Sequence, residues 1–533
     1  MNKPKLGNSP QRTYISLFSS AGVGCYGFEL NGFECIATNE LLNTRLAVQK
    51  ANNKCKYESG YICGDITRQE IQDRLFAEID MWHRKENLRQ VDVVFATPPC
   101  QGMSTVNYKK NDHEQIRNSL VVQAIKIIKK IHPKIFVFEN VRAFLKSICT
   151  DISGADMPIR DSIITNLSEE YNIYSKVINF KDYGVPSSRP RTIVIGTSKN
   201  LTNISPLNLF PTRKPEQTLR SVIGNFPSLA FGQKDAHDPL HFARPFPEHE
   251  IEWISDLKEG QSAFEKPDGQ KPYKIDAHGR KVILKGAYMG NKYRRLFWDK
   301  PCSCIATRND VLSSQDTIHP CDNRVLSIRE LMRLMTIPDS FRWTAHDDLL
   351  TVENSDAYLK KHEMNIRHCI GEAVPTKIIS DIAIKIRILL AYVDYISQKN
   401  VEMDCCIRQS ETNYYIAVSE ATAGIRITES SIFNNLMSYD PNPECVKIAI
   451  DDAGLFLRYL PQLSGYLSHK DKVRICTVTF SQEQKDEISR LVSLIPIGSN
   501  IELVYQDEPC RSFDFVIDDD GFFPKKHQQL TLF

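Results

Sequence analysis

Apolar residues in the first two hundred positions recur as short β-branched or aromatic runs separated by longer stretches of mixed polarity. The runs at 13–17, 33–38, 61–63, 91–95, 135–138, 177–180 and 192–196 read as strands, and 115–130 carries its apolar residues at helical spacing. Such alternation predicts a doubly wound α/β sheet, whose ligands bind outside the carboxyl ends of the strands. From 199 onward the alternation lapses into a segment of mixed charge rich in Pro, His and aromatic residues. Within it, Ser327 with Glu330 three positions on predicts a capped helix over 324–334. Further runs at 414–418, 446–450, 473–479, 501–505 and 513–517 predict a separate small α/β domain. The expected division is 1–198 completed by 362–398, then 199–361, then 399–533.

Composition narrows the class without naming it. At 533 residues the chain exceeds one ordinary core. Its net charge of +2 neither demands nor excludes a nucleic-acid partner, because a basic cleft can be offset by acidic surface elsewhere. There is no run of about 18 apolar residues and no signal-peptide pattern, so a soluble, cytoplasmic chain with no membrane partner is expected. Fifteen cysteines, odd in number and without a CxxC pair, point to reduced thiols rather than a disulfide framework. Cys302, Cys304, His319 and Cys321 are zinc-type ligands, but their spacing matches no common finger and no metal is expected. The clusters Asp451-Asp452 and Asp518-Asp519-Asp520 lack an accompanying lysine or histidine motif and read as turn aspartates rather than a metal-dependent nuclease.

The candidate chemistry gathers at predicted strand ends. After the first strand, Phe18-Ser19-Ser20-Ala21-Gly22-Val23-Gly24-Cys25-Tyr26-Gly27 contains G-x-G-x-x-G ahead of a helix and can offer backbone N–H groups to a nucleotide-like ligand. Glu40, just past the second strand, stands where a carboxylate grips ribose hydroxyls. Asp65-Ile66 follows the third in a turn suited to an adenine edge, although an aspartate there serves equally as a turn or helix cap. After the fourth comes Ala96-Thr97-Pro98-Pro99-Cys100-Gln101-Gly102-Met103-Ser104. Two prolines stiffen the loop that carries this thiol, which suits a nucleophile better than a core filler. Glu139 ends the next strand and brings a carboxylate to the same rim. Arg189 and Arg191 alternate along an extended segment, so both guanidiniums share a face.

In order along the chain, these motifs resemble those of one family. The Gly-rich loop, Glu40, Asp65-Ile66, Pro98-Pro99-Cys100-Gln101, Arg117-Asn118-Ser119-Leu120, Glu139-Asn140-Val141, the Arg189/Arg191 pair, the 324–334 helix and Gly371-Glu372-Ala373-Val374-Pro375 resemble the DNA cytosine-5 methyltransferases over about 13–390. The resemblance implies an α/β, Rossmann-like S-adenosylmethionine-dependent methyltransferase domain with a smaller target recognition domain, leaving 399–533 as an accessory α/β domain. It implies that Cys100 adds to C6 of the target base, that Glu139 carries a proton to the N3 and amino edge, and that Arg191 binds O2, with Arg189 at phosphate or in the same pocket. Cytosine C5 is too weak a nucleophile unaided, and a thiolate at C6 converts it to an enamine carbon. A stacked base is out of reach, so it must be flipped into the pocket. S-adenosyl-L-methionine, leaving as S-adenosyl-L-homocysteine, is implied to lie against Phe18, Ala21, Gly22, Gly24, Glu40, Asp65, Ile66, Pro99, Leu120, Glu372 and Val374. Gln101, Ser104, Lys292, Arg294, Arg295 and Arg308 are candidates for contact with double-stranded DNA. Two positions depart from the family pattern: Ser187 stands where Gln is usual, and Glu372 stands where Asn is usual and puts a charge near the cofactor.

Modification of a specific site in a restriction or other defence system is the expected role, in a bacterial cytoplasm at the nucleoid, with a cognate endonuclease as partner. The tail Gln529-Leu530-Thr531-Leu532-Phe533 resembles the peptide with which bacterial proteins dock on the sliding clamp, a frayed tail being the alternative. Within the fold the rival is a transfer-RNA cytosine-5 methyltransferase, disfavoured by the long recognition segment. A nicotinamide dehydrogenase would leave Cys100 and Glu139 unexplained, and a catalytically silent DNA-binding protein would leave thiol, carboxylate and arginine without a use.

Overall fold

The computed structural model describes residues 11–99, 120–201, 206–284 and 289–399, and short stretches between 405 and 524. Seven strands build the central sheet: β1 (Arg12–Leu17), β2 (Phe33–Glu40), β3 (Tyr61–Cys63), β4 (Val93–Ala96), β5 (Ile135–Val141), β6 (Tyr171–Asn179) and β7 (Pro190–Ser198). Their spatial order is β3-β2-β1-β4-β5-β7-β6; the first five run parallel, and β7 is antiparallel to both its neighbours. Chain order reverses between β1 and β4, and the loops leaving these adjacent strands open the crevice of a Rossmann-like sheet. Leu17 pairs with Ala96 and Ala96 with Phe138, so the Gly-rich loop, Thr97-Pro98-Pro99 and Glu139 emerge at one rim.

The parallel strands are buried on both faces, which is why they read as nearly continuous apolar runs. Helix Leu120–Ile131 covers one face with Val121, Val122, Ala124, Ile125, Ile127 and Ile128 buried, while its lysines fall outside that stripe. Gly196 on β7 lies opposite Phe136 on β5, and a Cβ there would come within 2.0 Å of the Phe136 ring, so only glycine admits the aromatic. Strand β6 starts at Tyr171, well before the predicted 177. It is the sheet edge, where the polar Asn172, Ser175 and Lys176 are tolerated because they do not enter the core, and those residues hid it from a reading by apolar pattern.

A second core, around Leu326, Ile328, Leu331, Met335, Phe341 and Trp343, packs the helix Ile328–Leu334. Ser327 and Glu330 form the predicted capping box. A third cluster gathers Trp253, Ile254, Leu257, Tyr293, Leu312 and Ile318. By compactness the chain falls into two units, Met1–Ser198 with Lys214–Ile384, and Lys199–Arg213 with Lys385–Phe533. The second contains a five-stranded sheet in the order Ile501–Gln506, Lys472–Val478, Cys445–Ile450, Phe515–Asp518, Gly521–Pro524, parallel except for its last strand, and a hairpin of Cys405–Gln409 with Tyr414–Val418. Five of these strands fall where the sequence predicts them; Cys405–Gln409 and Gly521–Pro524 are not predicted by it. Asp451, Asp452, Asp519 and Asp520 lie outside the described residues, as does the tail motif Gln529 to Phe533. Among the described residues no helix is long and apolar enough to cross a membrane.

Candidate active site

The rim is organised around Glu139. This β5 residue is 7 % exposed, and its Oε1 lies 3.3 Å from Arg191 Nε on the neighbouring β7. Burial pushes the carboxyl above the usual range, and the Arg191 and Arg189 charges offset only part of that rise. The next residue, Asn140, is buried and donates from Nδ2 to Pro98 O at 2.8 Å. On the other side, Thr97 donates from Oγ1 to Phe18 O at 2.9 Å and from its backbone N–H to Leu17 O at 3.2 Å. Pro98 is therefore held between the Gly-rich loop and the Glu139 strand, two residues before Cys100 in the sequence. Cys100, Gln101 and Ser104 themselves lie outside the described residues. Sequence reasoning missed Thr97 and Asn140; the signal was their position inside the quoted motifs.

Arg189 is 3 % exposed and donates to Ile305 O and Gly371 O, each at 3.0 Å, and more weakly to Cys304 Sγ at 3.5 Å. This corrects the expectation that Arg189 lies at phosphate or in the base pocket: a guanidinium that gives both Nη atoms to buried carbonyls braces the recognition segment and the end of helix Ser355–Glu372 against the rim. Backbone pairing between Ser188 N and Cys302 O, 2.7 Å, and between Cys302 N and Pro186 O, 2.9 Å, seals the same joint.

The Gly-rich loop is strained in a purposeful way. Phe18 at φ 58°, Ser20 at φ 46° and Gly22 at φ 80° are left-handed, and the turn is held by Ser19 N donating to Asn39 O at 3.3 Å and Gly22 N to Ser19 O at 2.9 Å. Ser20 N donates to Glu40 Oε2 at 2.7 Å, and Leu42 N to its Oε1 at 3.1 Å. Gln49 Nε2 donates to Ser20 O at 2.5 Å, while Gln49 Oε1 accepts from Thr38 and from the buried Lys54. Gly24 abuts Val374, and a Cβ on Gly27 would lie 2.5 Å from Ser380 N, so these two glycines serve close packing against the 374–380 segment. Glu372 reaches the loop as well, accepting from Ser20 Oγ and pairing with Arg45, each at 3.0 Å. Arg45, 5 % exposed, also donates to Asn365 O and Cys369 Sγ. It is the counter-charge that lets a glutamate stand where the family uses asparagine.

Not every predicted cofactor residue converges with its side chain. Ala21 and Ile66 are buried in apolar clusters, so only their backbones can face a ligand. Asp65 is exposed, with Oδ1 accepting from Thr67 N and Oγ1, a turn cap. Leu120 packs at the start of its helix, half-buried, and Pro99 is likewise half-buried. Leu41 and Leu42, beside Glu40, are 62 % and 48 % exposed, an apolar pair that the sequence reading passed over.

The candidate DNA contacts divide. Lys292 is exposed; Arg308 is exposed and pairs with Asp310 at 2.8 Å. Arg294 is half-buried between Glu265 and Asp316 at 3.8 and 3.9 Å. The expectation for Arg295 does not hold: it is 2 % exposed and donates to Ile254 O, His319 O, Asp322 O and Asn323 Oδ1, a brace inside the recognition segment. Of the four zinc-type ligands, His319 and Cys321 come together, joined by Asp322, their ligand atoms within 4.8 Å of one another. However, His319 Nδ1 already accepts from Asp322 N at 3.0 Å, and Asp322 accepts from Ser228, Leu229 and Arg324.

A doubly wound sheet whose rim gathers a left-handed Gly-rich loop, the Thr97-Pro98-Pro99 stretch and a buried acid paired to arginine defines the Rossmann-like class. The model of the C-5 cytosine-specific DNA methylases matches residues 12–387. The Type II methyltransferase M1.HgaI of Avibacterium volantium is 33 % identical over 383 residues, covering 69 % of this chain and 96 % of that one. Type II methyltransferase M1.HphI of Haemophilus parahaemolyticus is 28 % identical over 339 residues, 62 % of this chain and 78 % of that one. Among solved structures, a prophage-encoded DNA modification methyltransferase from E. coli aligns at 19 % identity and a TM-score of 0.49, over 71 % of this chain and 99 % of that one. The chain belongs to the C-5 cytosine-specific DNA methylase family. Its reaction class is methyl transfer to cytosine C5 in DNA, and the family implies S-adenosylmethionine as the methyl donor.

Proposed function

We propose that this chain modifies one specific DNA sequence, with Cys100 as nucleophile, Glu139 as proton carrier and Arg191 as the clamp on the base O2. The observation that carries the reading is the buried Glu139 carboxyl, raised by desolvation, beside Arg191 and tied through Asn140 to the loop that leads into Cys100. A carboxyl that keeps its proton can donate to N3 as the Cys100 thiolate adds at C6, which stabilises the charge that develops on the ring. Arg191 then offers Nη2 to O2 while its Nε stays on Glu139 and its Nη1 on Pro190 O. Once C5 carries the methyl group, loss of the C5 proton and departure of the Cys100 sulfur restore the C5–C6 double bond and the thiolate.

S-adenosylmethionine, when bound, supplies the electrophilic methyl. The residues fit it: the left-handed turn at Phe18, Ser20 and Gly22 beside the Glu40 carboxylate, and the exposed Leu41 and Leu42 for an apolar ring. Glu372, Val374, Leu120 and Pro99 complete the wall in this reading. The recognition domain at 199–361 presents Lys292, Arg294 and Arg308, and the Cys100 loop presents Gln101 and Ser104. Because relatives such as M1.HgaI and M1.HphI are Type II methyltransferases, the modified site protects DNA from a cognate endonuclease. The tail Gln529 to Phe533 docks on the sliding clamp.

The test is a duplex in which 5-fluorocytosine replaces cytosine, incubated with S-adenosylmethionine. Fluorine cannot leave as a proton does, so the wild-type chain should remain covalently attached through denaturation and Cys100→Ser should not. A wild-type chain that forms no adduct overturns the mechanism.

A further inference from the structure

The methyl-transfer steps leave one buried cation unused. Lys54 is 4 % exposed, and its Nζ donates to Thr38 Oγ1 at 2.9 Å and to Gln49 Oε1 at 3.0 Å. The chain delivers it there locally: helix Asn43–Ala51 ends, Asn53 turns back at φ 52°, and Lys54 N donates to Gln49 O at 3.3 Å. Burying an ammonium is costly, and both of these acceptors are neutral groups that adjoin the Gly-rich loop.

The orientation of the buried Gln49 amide follows from what lies at its two ends. An ammonium has donors and no acceptor, so the amide atom facing Lys54 is the oxygen. Nε2 is left toward Ser20 O, a carbonyl that only accepts, at 2.5 Å. With the amide reversed, donor would face donor at Lys54 and acceptor would face acceptor at Ser20. Ser20 itself sits at φ 46°, a setting uncommon outside glycine, and it is gripped at both backbone groups. Its O accepts from Gln49, and its N donates to Glu40 Oε2 at 2.7 Å. The neighbouring loop residues rest on the same base. Ser19 Oγ and Thr38 Oγ1 lie 2.7 Å apart, and a Cβ on Gly22 would stand 3.1 Å from Gln49 Cγ and 3.7 Å from Lys54 Cδ.

We propose that Lys54 and Gln49 are positioning residues for the cofactor: the ammonium fixes the amide, the amide fixes Ser20, and the Ser20 N–H holds the Glu40 carboxylate where it grips the ribose. The inference rests on the methyltransferase reading above, in which Glu40 meets the cofactor. Ribose is common to S-adenosylmethionine and S-adenosylhomocysteine, whereas only the first carries a sulfonium charge. Acting through position, Lys54 affects both ligands alike; acting through its own charge, it would affect them unequally.

Calorimetry of the full chain with each ligand, alongside thermal melting, compares wild type with Lys54→Met, Gln49→Met and Gln49→Glu. Lys54→Met and Gln49→Met should each weaken both ligands about tenfold or more and by the same factor. The Lys54→Met/Gln49→Met double variant should be little worse than either single one, because both act along one relay. Gln49→Glu separates position from stability. It keeps an acceptor for Lys54, whose charge holds the new carboxyl ionised, but sets a second acceptor against Ser20 O. It should therefore melt no lower than Gln49→Met and yet lose as much affinity. A merely structural role would make affinity follow the melting temperature. Wild-type affinity in Gln49→Glu, losses that multiply in the double variant, or a loss confined to one ligand overturns the proposal. Should Lys54→Met not fold, the comparison of Gln49→Glu with Gln49→Met decides it. A wild-type chain that binds neither ligand overturns the underlying reading instead.

Discussion

In the proposed mechanism Glu139 is the residue whose environment does most to set the chemistry. Its carboxyl is raised by burial, so it holds its proton to a higher pH than a surface glutamate, and the protonated form is the one that can donate to the base. Activity should therefore hold at the acid side and decline as pH climbs through the raised value, and Glu139→Gln should cut kcat about 10²–10⁴-fold while leaving cofactor affinity intact. Steady-state kinetics across pH check both. Asn140 acts at one remove, through Pro98. Asn140→Ala should lower the rate of adduct formation at Cys100 about tenfold, as expected for misplacement of a reacting atom, with S-adenosylmethionine binding by calorimetry unmoved; loss of both together would mean a merely structural role. At this scale the sequence was legible where chemistry and motif coincide, as at Glu139 and Glu40. It was not legible for Arg45 and Glu372, whose partnership spans more than three hundred positions and depends on the fold to exist.

The elements show the same division. The capping box at Ser327 and Glu330 is a local pattern and was readable as such. What Glu330 also does was not: Arg324 donates to it at 2.7 and 2.8 Å and to Asp322 at 2.9 Å, all three buried, with His319 alongside. Burial alone would raise the Glu330 carboxyl, but the Arg324 hydrogen bonds outweigh it and hold the group at about 2; burial lowers His319 to about 4, opposed by Glu330. Both shifts favour the folded state at neutral pH. The His319 contribution is lost as pH falls from about 6.5 toward 4, and that of Glu330 as it falls from about 4.5 toward 2. Thermal melting should therefore decline below about pH 6.5 in two stages. Arg324→Met should destabilise by about 3–5 kcal/mol at neutral pH, with the deficit shrinking once Glu330 takes up a proton; a deficit independent of pH would contradict the network. The long-range braces Arg189 and Arg295 escaped notice for a related reason, since a buried arginine and a DNA-facing one look alike until their acceptors, here backbone carbonyls, are in view.

Across the whole molecule, the alternating strands and helices announced the doubly wound sheet, and the strand ends announced the rim where Glu139 and the Thr97-Pro98-Pro99 loop meet. The family match ends at 387, while the five-stranded sheet of the C-terminal unit begins with Cys445–Ile450. A chain ending after residue 398 should accordingly keep Cys100-dependent methyl transfer within a few-fold of the full chain; loss of transfer from a soluble, cofactor-binding truncation would make the C-terminal domain part of the catalytic apparatus. The most direct test of the central claim is transfer of labelled methyl from S-adenosylmethionine to duplex DNA and, in parallel, to transfer RNA, with wild type and Cys100→Ser side by side. Label on C5 of DNA cytosine with wild type and none with Cys100→Ser is the predicted result. Label on transfer RNA alone, or label on DNA that survives loss of the thiol, would contradict it.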